Sequence, residues 1–354
     1  MKTYLITGGC GFIGSNFIHY LYDNKISDKI INIDKMTYAG NEENLSSIQN
    51  NSNYHFVKAD IRDQKAVSGI LQKYTPDVVV HFAAESHVDR SIDGPSEFVQ
   101  TNIVGTLNLL QECTKWLKSK NEENKKNFKF IHVSTDEVYG SLGSRGKFVE
   151  TTPYDPSSPY SASKASSDHL ARSWNKTFNF PVIITNCSNN YGPYQFPEKL
   201  IPLMIINAIS GKNLPVYGKG FNVRDWFYVR DHCEAIQAVI NKGEIGETYN
   251  IGGNNEITNI KIVESICEIL DKKIPSKTGN PYAEQIKFVT DRPGHDFRYA
   301  IDATKIKEEL GWEPKENFNT GINKTISWYL NNRNWWTKIM KKTYQQERLG
   351  VLTK

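Results

Sequence analysis

The sequence predicts an α/β protein: a doubly wound parallel sheet followed by a smaller, mixed α/β C-terminal substrate domain. Three observations predict it. Apolar runs of strand length alternate with helical stretches through the first half of the chain, the pattern of a sheet covered on both faces. The first of these runs ends in Gly8, Gly11 and Gly14 and leads directly into an amphipathic helix. Beyond about residue 187 the alternation gives way to proline, aromatic and amide-rich sequence, which marks a second lobe.

At 354 residues the chain is long enough for two lobes. A hydrophobic content of 38% and a charged content of 23% fit an ordinary globular protein. The net charge is only +4 and no basic block stands out, so nucleic acid is not an expected partner. Lys2 runs straight into a strand, and no apolar run approaches the ~18 residues of a membrane helix, so the reading is a cytoplasmic protein. Cys10, Cys113, Cys187, Cys233 and Cys267 are scattered, which suggests neither disulfides nor a zinc site, and no metal is expected.

Taken in order, Lys2 to Thr7 reads as a strand and the following glycines as a tight turn. Backbone N–H groups and the positive end of the next helix, running to about Leu21, can there approach a pyrophosphate. A second strand, Lys29 to Ile33, ends at Asp34, where a carboxylate accepts both ribose hydroxyls of NAD and repels a 2′-phosphate; Lys35 beside it works against that preference. A third strand, Tyr54 to Ala59, places Asp60 and Ile61 along an adenine. A helix near Gln64 to Tyr74 leads to a fourth strand, Asp77 to Phe82. There Ala83 and Ala84 let a flat ligand lie against the backbone, and Ser86 offers a hydroxyl. His81 and His87 read as ordinary polar residues. Glu97 to Lys118 reads as one scaffold helix with Phe98, Thr101, Val104, Leu107 and Leu110 on its apolar stripe.

The fifth strand, Phe128 to Val133, ends in Ser134-Thr135-Asp136-Glu137. Neighbours within a strand point to opposite faces, so Asp136 and Glu137 can share a substrate only in a turn beyond the strand, where ligands bind in such sheets. The competing reading is that Thr135-Asp136 simply caps a following helix. Tyr160 and Lys164 then fall at i, i+4 on one face of a helix continuing to about Phe178. A tyrosine must drop roughly three pKa units, about 4 kcal/mol, to act as a base near neutrality. An ammonium at ~4 Å supplies an energy of that order. After a sixth strand, Pro181 to Thr185, Asn189 and Asn190 are turn residues or ligand contacts, and the strand-end position favours contacts. Arg224 is a candidate for a diphosphate. A helix from Cys233 to Ile240 and a strand from Thr248 to Ile251 return to the first lobe, which takes in residues 1–187 and about 231–258. The second lobe takes in about 188–230 and 259–354, including the Asp291-Arg292-Pro293-Gly294-His295-Asp296 cluster and a charged amphipathic tail from Asn334 with no assignable chemistry.

Together, the glycines, Ala83 through Arg90, Ser134 through Gly140, Tyr160 with Lys164, Cys187 through Pro193 and Asp291 through Asp296 make a chain that resembles the dTDP-glucose 4,6-dehydratase family. That family lies within the extended short-chain dehydrogenase/reductase superfamily, whose first lobe is a Rossmann domain. The likeness runs from about residue 3 to 330, and Asn186, Phe297 and Cys10 depart from the expected pattern. It implies a hydro-lyase cycle on a nucleotide-diphosphate hexose: C4 oxidation with Tyr160 as base helped by Lys164, water elimination with Glu137 as base and Asp136 as acid, and hydride return to C6. Thr135 would hold the 4-oxygen. The resemblance assigns Gly8, Gly11, Phe12, Ile13, Gly14, Asp34, Lys35, Met36, Thr37, Asp60, Ile61, Phe82, Ala83, Ala84, Ser86, Thr101, Tyr160, Lys164 and Asn190 to NAD. It assigns Ser86, Thr135, Asn189, Lys199, Leu200, Pro215, Tyr217, Arg224, Asn259, Asp291, Arg292 and His295 to the substrate. A homodimer is also implied. A UDP-glucose 4,6-dehydratase would share these catalytic residues; a 4-epimerase has no use for Asp136 with Glu137, and an NAD-binding sensor has no use for the set.

Overall fold

The computed structural model describes residues 2–342 and 344. The chain opens with β1 (Lys2–Thr7), α1 (Phe12–Asp23), β2 (Ser27–Asp34), β3 (Tyr54–Lys58), α2 (Gln64–Tyr74) and β4 (Val78–His81). Short α3 (Val88–Asp93) and α4 (Pro95–Phe98) run into a π-helical segment, Val99–Gly105, and then α5 (Thr106–Lys118). There follow α6 (Glu122–Asn127), β5 (Lys129–Thr135), α7 (Pro159–Phe178), β6 (Val182–Cys187), β7 (Asn189–Tyr191), α8 (Leu200–Ile209), β8 (Leu214–Tyr217) and β9 (Val223–Tyr228). The last elements are α9 (Val229–Lys242), β10 (Thr248–Ile251), β11 (Glu256–Thr258), α10 (Asn259–Lys273), β12 (Ile286–Val289), α11 (Thr304–Leu310), α12 (Phe318–Asn331) and α13 (Arg333–Lys342).

Seven strands form a parallel sheet in the order β10-β6-β5-β4-β1-β2-β3. Side-chain alternation along β1 shows why both faces are covered: Tyr4 and Ile6 enter a core with α1 and α9, whereas Leu5 enters the opposite core with α2, α5 and the end of α7. Ile301, Ile306, Leu310 and Trp312, far along the chain, also join the first of these cores. The second lobe is a three-stranded sheet, β11-β9-β7, and a two-stranded one, β12-β8, packed with α8, α10, α12 and α13 around Ile205, Ile262, Ile266 and Ile326.

The stripe expected over residues 97–118 is displaced. Phe98 and Leu110 are buried as expected, but Val104 is 39% exposed, and Asn102, Thr106, Leu109 and Cys113 are buried instead. The π segment is the reason, because its extra residue per turn rotates every later side chain about the helix axis. The tail is also more structural than its sequence suggests: Trp335, Ile339 and Tyr344 are buried in the second core, and Trp335 Nε1 donates to Asn44 Oδ1 at 2.8 Å. Residues 345–354 of that tail lie outside the described residues. No described helix is long and apolar enough to cross a membrane, all five cysteines are free and buried, and no described His, Cys, Asp or Glu cluster is placed to hold a metal ion.

Candidate active site

The sheet order reverses direction in sequence between β1 and β4, which opens a crevice at their carboxyl ends. A cavity of about 310 Å³ lies there. Its floor is the glycine turn. Gly8 has φ +73°, and a Cβ on it would sit 2.7 Å from the Ala83 backbone; one on Gly14 would sit 2.3 Å from the Gly8 carbonyl oxygen. Gly9, outside the GxxGxxG spacing, is equally constrained, since a Cβ would come within 2.2 Å of Asn32 Oδ1. Gly11 caps α1 without a side-chain hydrogen bond, which leaves the first helix N–H groups facing the cavity for an anion.

Asp34 is held at the tip of β2 by the backbone N–H groups of Met36 (2.8 Å) and Cys10 (3.0 Å), which offset the upward push of burial on its carboxyl. The ambiguity over Lys35 disappears in three dimensions. Its Nζ lies 3.1 Å from Asp60 and 3.3 Å from Glu97, so the ammonium is already neutralised and offers no vacant charge to a 2′-phosphate. Phe12, Ile13, Thr37, Asp60, Ile61, Phe82, Ala83, Ala84, Ser86, Thr101 and Asn190 all line the cavity. Met36 does not; its part is the backbone bond to Asp34. The glycine cradle, the open helix end and the ribose carboxylate together fit NAD.

The same cavity reaches Thr135, Asp136, Glu137, Tyr160 and Lys164. The strand β5 stops at Thr135, whose Oγ1 accepts the Glu137 N–H at 3.3 Å and caps a 3₁₀ turn, Asp136–Tyr139. The cap expected of Thr135 is present, and it is the cap that carries the two carboxyls off the strand. Their environments differ. Asp136 is 1% exposed, and burial, with the Glu137 and Asp225 charges behind it, pushes its carboxyl well above the ordinary range. Its Oδ2 is buried without a partner. Burial also raises Glu137, but Arg292, Arg224 and Lys199 pull it back. Asp136 thus holds a proton more firmly than Glu137 does.

Tyr160 departs from expectation. Burial and the Glu137 charge raise its phenol well above the ordinary value, opposite to the lowering that a lysine neighbour was expected to bring, while a Thr135 hydrogen bond pulls the other way. Lys164 instead donates through Nζ to the Val133 carbonyl at 2.9 Å, and burial lowers its own pKa. At Tyr160, burial with the Glu137 and Asp136 charges outweighs the Thr135 bond.

A second cavity of about 300 Å³ adjoins the first, and Ser86, Glu137, Asn189, Glu198 and Lys199 line both. Leu200, Pro215, Tyr217, Arg224, Asn259, Arg292 and His295 complete the walls expected for the substrate. Lys199 Nζ donates to the Ser86 carbonyl at 3.0 Å. Arg224 is held by the Val223 and Asp296 carbonyls (2.8 and 2.9 Å) and lies 4.2 Å above the Tyr299 ring. Arg292 bonds Asp89 at 2.6 Å, with its Nε left unpartnered. The Oδ1 atoms of Asn189 and Asn259 are likewise buried without partners. Three cations and several unanswered polar atoms around one cavity form a site for a dianionic ligand with hydroxyls and carbonyls. Asp291 stands outside the wall and holds His295 Nδ1 at 2.6 Å.

The family model of GDP-mannose 4,6 dehydratase matches residues 5–325. A dTDP-glucose 4,6-dehydratase of Xanthomonas campestris pv. campestris is 55% identical over 351 residues, covering 99% of each chain. The chain belongs to the dTDP-glucose 4,6-dehydratase family. Among solved structures, the dTDP-glucose 4,6-dehydratase of Bacillus anthracis in complex with NAD is 49% identical, with a TM-score of 0.85 over 96% of this chain and 100% of that one. The Streptomyces venezuelae enzyme DesIV, also solved with NAD bound, is 43% identical with a TM-score of 0.87, over 95% of this chain and 99% of that one.

Within this dehydratase fold the three departures from the family pattern stand away from the ligands. Asn186, Phe297 and Cys10 line neither cavity. Asn186 Nδ2 donates to the Thr135 carbonyl at 3.1 Å behind the catalytic turn. His81 is the ordinary polar residue it was taken for, bridging Thr7 and Thr106. His87 lines the second cavity, with its Nδ1 unpartnered. Glu198 was missed altogether. It lines both cavities and accepts from Tyr38 (3.0 Å) and Arg90 (2.9 Å); its place beside Lys199 was the one signal in the sequence.

Proposed function

We propose that this protein is a dTDP-glucose 4,6-dehydratase, converting dTDP-glucose to dTDP-4-keto-6-deoxyglucose and water for deoxysugar synthesis. The observation that carries the reading is the Asp136–Glu137 pair in unlike electrostatic environments, within the cavity that also receives Tyr160. The glycine turn and Asp34 would hold NAD, which would supply the hydride transfer from C4 and to C6. Tyr160 takes the 4-hydroxyl proton, and Thr135 holds the same oxygen. Glu137, whose proton Arg292, Arg224 and Lys199 loosen, removes the C5 proton acidified by the new ketone and returns it to C5 as C6 is reduced. Asp136 delivers its proton to the departing C6 oxygen. Arg224, Arg292 and Lys199 take the diphosphate, and the Asn189 and Asn259 amides take hydroxyls or base carbonyls.

The remaining NAD and substrate contacts follow the assignment made from sequence, with Met36 and Asp291 acting through Asp34 and His295. The first lobe, residues 1–187 with about 231–258, holds NAD; the remainder forms the nucleotide-sugar lobe. Exposed Val99, Val104 and Phe178 on the helical layer beside α5 and α7 support a homodimer packed through those helices. The test is separate incubation of the purified protein with dTDP-glucose and UDP-glucose, followed by mass spectrometry. Loss of one water from dTDP-glucose supports the reading; a product that keeps its 6-oxygen refutes it.

A further inference from the structure

Behind the catalytic turn lies a charged cluster that no reaction step above uses. Asp168, on α7 one turn after Lys164, is fully buried. Its Oδ1 meets His132 Nε2 at 3.0 Å, and its Oδ2 accepts from Ser134 Oγ (2.8 Å), the Tyr154 hydroxyl (2.9 Å) and Asn186 Nδ2 (3.3 Å). A carboxylate with this many partners is built to stay ionised in a place where an unpaired charge would be prohibitive. Its donors come from three elements that meet at the active site. Ser134 immediately precedes the Thr135–Glu137 turn, Asn186 also holds the Thr135 carbonyl at 3.1 Å, and Tyr154 carries Arg172 on its ring face and hydroxyl. Lys164, one helical turn before Asp168, shares this interior, and its Nζ is anchored on β5 by the Val133 carbonyl.

We infer that Asp168 is a positioning residue for the dehydratase reaction: it is the buried counter-charge one helical turn from the Lys164 ammonium, and its bonds to Ser134 and Asn186 fix the catalytic turn against α7. The inference rests on the dehydratase reading for its kinetic test and on ligand-free chemistry for a second one. Other charges facing the pair agree with the assignment. His132 is held neutral by burial despite its bond to Asp168, and Arg172 reaches the carboxylate only through Tyr154. Burial pulls the Asp168 carboxyl up, and the His132, Lys164 and Ser134 interactions more than offset it. Burial pulls the Lys164 ammonium down, and Asp168 is the first group opposing that.

The experiment is Asp168→Asn in the full-length, NAD-loaded enzyme, assayed for water loss from dTDP-glucose between pH 6 and pH 9. Without its partner Lys164 loses its proton at lower pH, so the alkaline limb of kcat moves toward neutrality by about one pH unit or more while KM changes less than about threefold. A uniform fall in kcat at every pH, with the limb in place, would overturn the inference. If Asp168→Asn does not fold, Tyr154→Phe removes one donor and leaves the carboxylate; it raises the pH at which Asp168 protonates, so the acid limb of kcat moves up, and an unmoved limb overturns the inference as well. Should the parent enzyme release no water, the dehydratase reading fails instead. The pair is then read from ligand-free thermal unfolding. The melting-temperature gap between parent and Asp168→Asn should be widest near pH 7 and close as pH falls below about 4, because a carboxylate depressed in the folded state stabilises only above its unfolded value. A gap constant across pH means that Asp168 is neutral and the inference is wrong.

Discussion

Asp136→Asn should stabilise this protein while abolishing dehydration. An unfolded aspartate ionises near 3.8. Keeping its proton on in the folded chain costs about 1.4 kcal/mol for each pH unit by which the solution stands above that unfolded value, up to the raised folded one. The isosteric amide has no proton to keep. At roughly 2.1 cal/mol/K per residue, the unfolding entropy of a chain of 354 residues turns each such ~1.4 kcal/mol into a melting-temperature gain of about 2 °C per pH unit, some of it returned through a weaker Thr135 contact. The direction with pH follows from the raised folded value. The penalty is absent below the unfolded value and grows as pH rises, so parent and variant should melt together near pH 4 and separate steadily toward pH 8. Scanning calorimetry of ligand-free protein over that range is the assay. Parallel curves would mean that Asp136 is already ionised in the folded state and cannot be the acid that protonates the leaving oxygen.

The double variant Asp136→Asn/Glu137→Gln should still oxidise C4, seen as NADH absorbance at the start of the reaction, yet release no water; full dehydration would contradict the assignment. Arg224→Met removes a charged donor from the second cavity, and with charged hydrogen bonds worth about 1.5–3 kcal/mol, KM for the nucleotide sugar should rise roughly 10- to 150-fold, with a smaller change in kcat. Gly14→Ala forces a carbon to 2.3 Å from the Gly8 oxygen, so gel-filtered protein should lose its NAD and melt at a lower temperature in titrations with added cofactor. Lys35→Ala should leave the preference for NAD over NADP where it is, because that ammonium is already paired; a tenfold swing in relative affinity would show that it was available to a phosphate.

How far the site could be read in advance depended on distance along the chain. Local signals did well. The glycine turn, Asp34 at its strand end, and Thr135, Asp136 and Glu137 one step past theirs are each fixed by a few neighbouring residues and the alternation of a strand. The helix over residues 97–118 was placed but wrongly phased, since nothing in its composition announces a π segment. Glu198, Arg90 and Tyr38 were invisible for another reason: they meet only through the fold, and each alone is an ordinary surface residue. The Tyr160 and Lys164 spacing was legible, but the electrostatics were not, because burial and the Glu137 charge outweigh what one ammonium was asked to do.

The wall common to the two cavities carries a thermodynamic obligation. Ser86, Glu137, Asn189, Glu198 and Lys199 each face both chambers, so occupation of either one changes the surroundings of side chains that the other must grip. Such communication cannot run one way. Whatever factor the dinucleotide adds to the grip on the hexose, the hexose adds to the grip on the dinucleotide. A protein built so cannot retune its hold on the sugar without retuning, by the same factor, its hold on the dinucleotide.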